Sequence, residues 1–321
     1  MLFAWSGSRG TSFGPHIWRG ETAVLNYHTW KIEVDENSVN PDFYYFALRN
    51  LTAYIEDQAH GASALVHTQK WEMEGFELAL PSDWREQRAI AGVLSDVDAA
   101  LAGLGRLIAK KKDLKLATMQ QLLTGQTRLP GFTAPWEVKR LGEVCSMKSG
   151  EQITVARIDG YSAYPCYGGN GLRGQTSRFT HEGHFCLIGR QGALCGNVVE
   201  VQGKFFASEH AIVVTPNAGV SIGWLSISLK RMNLNQYSES SAQPGLSVNK
   251  LLMLDLNVPP TPDEQTAIAA VLSDMDAELA ALNAQLEKTK LLKQAMMQEL
   301  LTGRTRLPLP PEPEAPDARP L

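Results

Sequence analysis

The sequence is poor in cysteine and has no long apolar run. Only Cys145, Cys166, Cys186 and Cys195 occur, without a CxxC pair, in a chain of 321 residues. Four thiols confined to one stretch exclude a small disulfide scaffold and suggest reduced, cytosolic cysteines. No apolar stretch reaches the roughly 18 residues that a membrane span needs, and Met1-Leu2-Phe3-Ala4-Trp5 lacks a basic leader. A cytoplasmic chain with no membrane partner is the expectation. Catalytic signatures are missing too: no GxxxxGK[ST], no GxSxG, and His181-Glu182-Gly183-His184 lacks the HExxH spacing of a metal site. Asn257-Val258-Pro259-Pro260 approximates the Asn-Pro-Pro-aromatic loop of amino-methyltransferases, but its register is wrong and the aromatic is absent. Neither a catalytic residue, a metal nor a cofactor is therefore expected, and the chain reads as non-enzymatic.

What is present is a core and a repeat. Hydrophobic residues make up 44% and charged residues 20%, and the length suggests about two domains at roughly 150 residues each. Lys+Arg is 30 against Asp+Glu 34, a net charge of -4 that by itself offers nothing to nucleic acid. Glu86-Gln87 and Glu264-Gln265 open two segments that align without a gap at an offset of 178, with 29 identities in 45 positions. Both close on Leu-Leu-Thr-Gly-x-Thr-Arg-Leu-Pro, at 122–130 and 300–308. This is a duplicated module.

Both copies predict long helices. Apolar residues recur at Ile90, Leu94, Val97, Leu101, Leu104 and Ile108, and again at Ile268, Leu272, Met275, Leu279, Leu282 and Leu286. This 4-3 alternation is a coiled-coil seam. Asp83 and Asp263 are candidate N-caps, and Gly125 and Gly303 candidate stops. About 40 residues make a rod of roughly 60 Å. Lys111, Lys115 and Lys293 interrupt the seam. Antiparallel pairing of the two helices is expected; taken alone, they also fit a coiled coil that only oligomerises.

Residues 131–260 alternate strand-like stretches (Phe185-Cys186-Leu187-Ile188, Ala211-Ile212-Val213-Val214) with glycine-rich turns, and Ile222 to Asn235 predicts a helix. A mainly-β domain is expected there. Residues 1–82 echo its distal part. Gly7-Ser8-Arg9-Gly10 resembles Gly189-Arg190-Gln191-Gly192, Asn26-Tyr27-His28 resembles Ser208-Glu209-His210, and Asp42-Phe43-Tyr44-Tyr45-Phe46 sits where Gly223-Trp224-Leu225 sits. His60-Gly61-Ala62-Ser63 echoes Pro244-Gly245-Leu246-Ser247. The second unit, 131–308, has 178 residues and the first, 1–130, is 48 shorter, so the first domain is expected to be N-terminally truncated.

Gly169-Asn170-Gly171-Leu172-Arg173-Gly174 formally matches GxGxxG, but the polar, β-branched Gln175-Thr176-Ser177 that follows supplies no helix to meet a pyrophosphate. A loop bringing backbone close to a partner is the better account, with a plain tight turn as the alternative. Around it lie Arg157, Arg173, Arg178, Arg190 and Lys204, with Asn170, Gln191, Ser208 and His210 among them. Arginine forks read guanine edges, Asn and Gln read adenine, and Lys or Ser holds phosphate. Each residue taken singly also fits a solvated loop.

At these residues the chain resembles the specificity subunit of a type I DNA restriction–modification system. The resemblance rests on Tyr164-Pro165-Cys166-Tyr167-Gly168-Gly169-Asn170-Gly171, Ile188-Gly189-Arg190-Gln191-Gly192, Asn233-Leu234-Asn235-Gln236-Tyr237, Ser241-Ala242-Gln243-Pro244-Gly245-Leu246-Ser247, and Pro259-Pro260-Thr261-Pro262-Asp263-Glu264-Gln265. The repeated helix ends carry it as well. It implies an α+β chain of two mainly-β target-recognition domains, the first incomplete, separated by two long antiparallel coiled-coil helices. The expected divisions are 1–82 (truncated first domain), 83–130 (helix and linker), 131–260 (second domain), 261–308 (second helix) and 309–321 (Pro-rich disordered tail). It also implies that each domain reads half of a split target in double-stranded DNA. The helices would dock two methyltransferase subunits and, through them, restriction subunits, which would carry the S-adenosylmethionine and ATP chemistry. Candidate DNA-contacting residues are Tyr167, Gly169, Asn170, Arg173, Arg178 and Arg190, then Gln191, Lys204, Ser208 and His210, with Arg9 and His28 by the repeat. Two other classes stay open: a truncated variant that binds methyltransferase or dimerises without full reading, and a scaffold unrelated to DNA. The acidic average is local: 1–82 carries 5 Lys+Arg against 10 Asp+Glu, whereas 131–260 carries 11 against 9 and 83–130 carries 8 against 5.

Overall fold

Hydrophobic periodicity decides where each segment of this chain goes, and it does so separately in two units. The computed structural model describes residues 1–58, 65–192, 194–239 and 245–308. The echo at His60 to Ser63, the motif residues Ser241 to Pro244 and the Pro-rich tail at 309–321 lie outside the described residues. One unit comprises residues 1–108 and 281–321, the other residues 109–280. The fold is α+β in both.

In the first unit, β1 (Leu2–Ala4), β2 (Ser6–Ser8), β3 (Gly14–His16) and β4 (Thr29–Lys31) precede α1 (Pro41–Gln58), β5 (Leu65–His67) and α2 (Lys70–Glu74). Helix α3 (Trp84–Leu122) starts here and ends in the second unit. The sheet order is β3-β1-β4, all antiparallel, and β2 pairs with β5. Two apolar stripes of α1 bury against different neighbours. Phe43, Phe46 and Ala47 pack on Ile90, Leu94, Leu300 and Leu301, while Leu48 and Leu51 pack on Phe3, Phe13 and Val66. Each fully buried side chain of this size stabilises by about 1.5–3 kcal/mol.

In the second unit, β6 (Glu137–Arg140), α4 (Leu141–Val144) and β7 (Cys145–Ser149) lead into β8 (Tyr164–Gly168), β9 (Gly171–Thr176), β10 (His181–Gly189), β11 (Val198–Ala207) and β12 (Ala211–Pro216). Then come α5 (Ile222–Arg231), α6 (Val248–Leu252), β13 (Asp255–Val258) and α7 (Pro262–Leu300), the last running on into the first unit. The six-stranded sheet has the order β7-β12-β10-β11-β8-β9, with β11 and β8 parallel and the other pairs antiparallel; β13 pairs with β6. Alternation along the strands splits the core. Cys186, Ile188, Ile212 and Val214 join Trp224, Leu225 and Leu229 of α5, whereas Leu187, Val201, Phe205 and Val213 form a cluster of their own. The helix predicted to run to Asn235 stops at Arg231: Asn233 takes a left-handed backbone (φ 47°) and a separate 3-10 turn covers Leu234–Tyr237.

Helices α3 and α7 pair antiparallel within each unit, and the pairing is reciprocal. In the first unit Arg306 meets Glu86 and Lys293 meets Asp98. In the second, Arg128 forks onto Glu264 at 2.6 and 2.8 Å, Trp136 Nε1 donates to Glu264 Oε1 at 3.2 Å, and Lys115 meets Asp276. At the repeat offset these are the same two pairs with the copies exchanged. The lysines that interrupt the apolar seam are therefore its ionic partners, and Lys111 adds Glu278 at 2.6 Å. Seam residues Ile90, Leu94, Ile108, Ile268 and Leu272 are buried, while Val97, Leu101, Leu104, Met275, Leu279, Leu282 and Leu286 are half-buried.

The helix ends carry one confirmation and one correction. Asp83 Oδ1 accepts the Arg85 N–H at 2.8 Å and caps α3. Asp263 lies inside the first turn of α7; the cap is Thr261, whose Oγ1 accepts the Glu264 N–H at 3.3 Å with Pro262 opening the helix. Thr261, not Asp263, is the repeat equivalent of Asp83. Gly125 and Gly303 both take φ 73° beyond the last turns, where a β-carbon is disfavoured.

Burial makes the two kinds of pair unequal. Glu264 is 1% exposed, so Arg128→Ala leaves a carboxylate inside with, among the described residues, only the Trp136 donor and is expected to lower stability by about 3–5 kcal/mol. Lys293, whose pKa burial lowers, faces the more open Asp98, which also has Arg49 at 4.0 Å. Lys293→Met is accordingly expected to change stability by less than about 1 kcal/mol. Urea-denaturation midpoints of the two variants test this contrast.

Candidate functional site

Three turns, two of them bearing glycine, meet at one edge of the six-stranded sheet. The first is the two-residue turn Gly169-Asn170 between β8 and β9, closed by Gly168 opposite Gly171. The second is Arg190-Gln191-Gly192 after β10, and the third is Ser208-Glu209-His210 between β11 and β12. Backbone hydrogen bonds tie them together: Arg190 N–H donates to His210 O at 2.8 Å, and Ser208 N–H to Tyr167 O at 2.8 Å. Leu246 N–H donates to Arg190 O at 2.9 Å.

The glycines allow that closeness. A β-carbon on Gly189 would stand 2.2 Å from the Gly169 carbonyl oxygen, and one on Gly169 would stand 2.9 Å from that of Gln191. The GxGxxG-like run forms a tight turn packed on this chain's own backbone, and from Gly171 it is strand β9 where a dinucleotide site needs a helix.

On this frame Asn170 and Gln191 are exposed and Arg190 is half-buried. Gln191 Oε1 meets His210 Nδ1 at 3.1 Å, and His210 Nε2 lies 3.3 Å from Glu209. Arg190 and Gln191 also line an open groove of about 530 Å³ with Ser149, Glu239, Ser247 and Asn249. Arg173 is exposed on β9, and its aliphatic stem lies over Gly168. Amide, imidazole and guanidinium groups together offer donors and acceptors at this edge, the chemistry that reads base edges.

Not every predicted residue belongs to this edge. Arg178 pairs with Glu151 at 2.9 Å and lies over the Phe206 ring, and Lys204 faces Glu182 at 3.7 Å and lies over Phe179. These two cations form a separate, partly neutralised patch. Tyr167 is half-buried, edge-on to Phe205, and so supports the turn from inside. Ser208 is a correction: it is 0% exposed, with its Oγ buried and lacking a hydrogen-bond partner among the described residues. Its place behind Gly168 removes it from any surface contact.

In the first unit, Arg9 is exposed in the turn after β2, and the neighbouring Gly10 N–H donates to Glu56 at 2.7 Å. His28 packs against Trp5 and Tyr27, with ring centroids 4.8 and 3.9 Å away, and its Nδ1 is buried without a partner among the described residues. His28 is thus mainly a packed aromatic. Sequence reasoning missed the exposed apolar side chains Trp18 and Val24 in the loop before it, because no periodic pattern marks a loop.

The four thiols are free and buried. Burial pushes Cys145 and Cys186 up to about 12 and raises Cys166 and Cys195 as well, which keeps the reactive thiolate form scarce.

The sequence matches the model of the type I restriction modification DNA specificity domain over residues 2–110 and 134–291. The type I restriction enzyme EcoprrI specificity subunit of Escherichia coli is 48% identical over 142 residues, which are 43% of this chain and 35% of that protein. The type I restriction enzyme MjaVIII specificity subunit of Methanocaldococcus jannaschii is 26% identical over 168 residues, 49% of this chain and 38% of that protein. The chain thus spans little more than a third of the length of these relatives. The crystal structure of a type I restriction-modification S subunit from M. genitalium shares the fold, with a TM-score of 0.62 at 20% identity, covering 84% of this chain and 74% of that one.

Because Gly189 admits no β-carbon, Gly189→Ala is expected to cost about 1–3 kcal/mol and to loosen the three-turn edge. Faster hydrogen exchange at the Arg190 amide, with β12 unchanged, is the local readout.

Proposed function

The chain belongs to the family of type I restriction modification DNA specificity domains, and on that premise we propose that it is the non-catalytic DNA-recognition subunit of such a complex. The observation that carries this reading is the convergence of Asn170, Arg190, Gln191 and His210 on one sheet edge. Asn170, Arg190 and Gln191 contact base edges, and Arg173 holds phosphate. Arg178 and Lys204 supply weaker backbone contacts, since each is shared with a carboxylate. Arg9 and His28 belong to the corresponding edge of the first globular part.

On this reading residues 1–82 and 131–260 are two target-recognition domains, and residues 83–130 and 261–308 are the paired helices. Double-stranded DNA with a split target is the ligand. Two methyltransferase subunits dock on the helices and restriction subunits join through them, in the cytoplasm where the DNA is. The acidic first segment is less of an obstacle if those partners supply much of the phosphate contact.

The test is an electrophoretic mobility shift with co-expressed methyltransferase, together with methylome sequencing of cells with and without the gene. Arg190→Ala and Asn170→Ala are expected to weaken specific binding roughly 5- to 150-fold, equivalent to about 1–3 kcal/mol, and to relax one position of the target. Arg173→Ala should weaken all sequences alike and reduce the salt slope by about one. Failure to co-purify with methyltransferase would favour the scaffold reading; co-purification with an unchanged methylome would favour a non-reading variant.

A further inference from the structure

The two globular parts differ in what covers one equivalent surface. In the second unit, strand β12 has neighbours on both sides: β10 on one and β7 on the other, with Ile212 opposite Ser149 and Val214 opposite Met147. Strand β13 is paired with β6. One continuous segment, Glu137–Ser149, supplies β6, α4 and β7 and so covers both strands. Beneath it Ile212, Val214, Leu251, Leu256 and Val258 are all 6% exposed or less.

Among its described residues, the first unit has the same surface without that cover. Strand β4 pairs with β1 on one side only and, among the described residues, forms the outer edge of its sheet. Helix α2 (Lys70–Glu74) matches α6 (Val248–Leu252) at the repeat offset, and residues 77–80 match β13 but are in no strand. Between β4, α1 and α2 lies a groove of about 340 Å³ whose walls include Trp30, Ile32, Tyr44, Met73, Phe76 and Leu78. Trp30 and Ile32 stand where Ile212 and Val214 stand, yet they are only half-buried, and Leu80 is 46% exposed where Val258 is 4%.

We propose that this groove is a docking site for a polypeptide segment with the chemistry of Glu137–Ser149: a short strand, one helical turn presenting Leu-x-x-Val, and a second strand. The second strand adds to the β4 edge, and the helical turn fills the groove. The argument for this occupant is that such a segment already occupies the equivalent surface of the other repeat, where Leu141 and Val144 are 0% and 1% exposed. Strand addition to an open edge needs only free main-chain groups and pockets for alternate side chains. Those groups are available on β4. Ile32 N–H bonds to Met1 O and Trp5 N–H to His28 O, so the even-numbered positions face β1 and the main chain of Lys31 points outward, whereas the Thr29 N–H is already donated to Asn26 O at 3.0 Å. This inference does not depend on DNA reading.

The probe is a synthetic peptide with the sequence of residues 137–149, added to the full chain and followed by fluorescence anisotropy and hydrogen exchange. Saturable one-to-one binding is expected, with new protection at the Lys31 amide and none from a scrambled peptide. Lys31→Pro removes the outward N–H at an edge position that tolerates proline and is expected to weaken binding at least about tenfold. Lys31→Ala should bind like the parent. Absence of saturable binding, or binding indifferent to Lys31→Pro, overturns the proposal. Protection confined to 211–216 also overturns it, because the peptide would then be exchanging with its own copy. Self-association that protects Lys31 without peptide would replace the proposed occupant with a second copy. If Lys31→Pro disturbs the circular dichroism spectrum, hydrogen exchange on the unaltered chain decides alone.

Discussion

Two buried glutamates hold this architecture together. Glu86 and Glu264 are 1% exposed, and each is neutralised by an arginine from the other repeat: Arg306 for Glu86, Arg128 for Glu264. A carboxylate inside a protein is tolerable only when paired and hydrogen-bonded. Each glutamate thus requires the opposite repeat to end its helix, turn at a left-handed glycine and fold its arginine back. The glutamines next to them continue the constraint. Gln87 Oε1 accepts the Asn40 N–H before α1 and its Nε2 donates to Pro81 O; Gln265 accepts the Ser221 N–H before α5 and donates to Pro259 O. One dipeptide therefore sets both the helix pairing and the seat of each globular part on its helix.

That coupling bears on the candidate interface. The α5 helix seated by Gln265 lies under β10 and β12, and those strands deliver Arg190 and His210 to the same edge. Glycines at 169 and 189 then let the turns close to within backbone contact. The arrangement places exposed Asn170 and Gln191 on a rigid frame, as recognition of a shaped surface requires. The same frame in the first unit presents Arg9 and a packed His28, with a smaller sheet behind them.

Much of this is legible in the sequence. The 4-3 apolar spacing from Ile90 and Ile268, the glycine stops and the repeat offset all predict two long antiparallel helices, because helix burial is periodic and local. The glycine-rich turns and β-branched stretches of 131–260 predict the mainly-β part. Legibility failed where an effect depends on a distant partner. Lys115 and Lys293 read as faults in the seam because Asp276 and Asp98 lie far away in sequence. Asp263 read as a cap because a carboxylate suits that role, while Thr261 and Pro262 set the true helix start.

By itself the sequence determined the duplication, the helices, their stops and the family, since each depends on short-range spacing or on similarity along the chain. Only the tertiary structure decided which polar residues share a surface. Sheet order puts Asn170, Gln191 and His210 together and leaves Arg178 and Lys204 elsewhere, and packing buries Ser208 behind Gly168. Burial is a property of three-dimensional neighbours. The scarcity of cysteine and of long apolar runs could exclude whole classes of protein, but could not say which loop meets which.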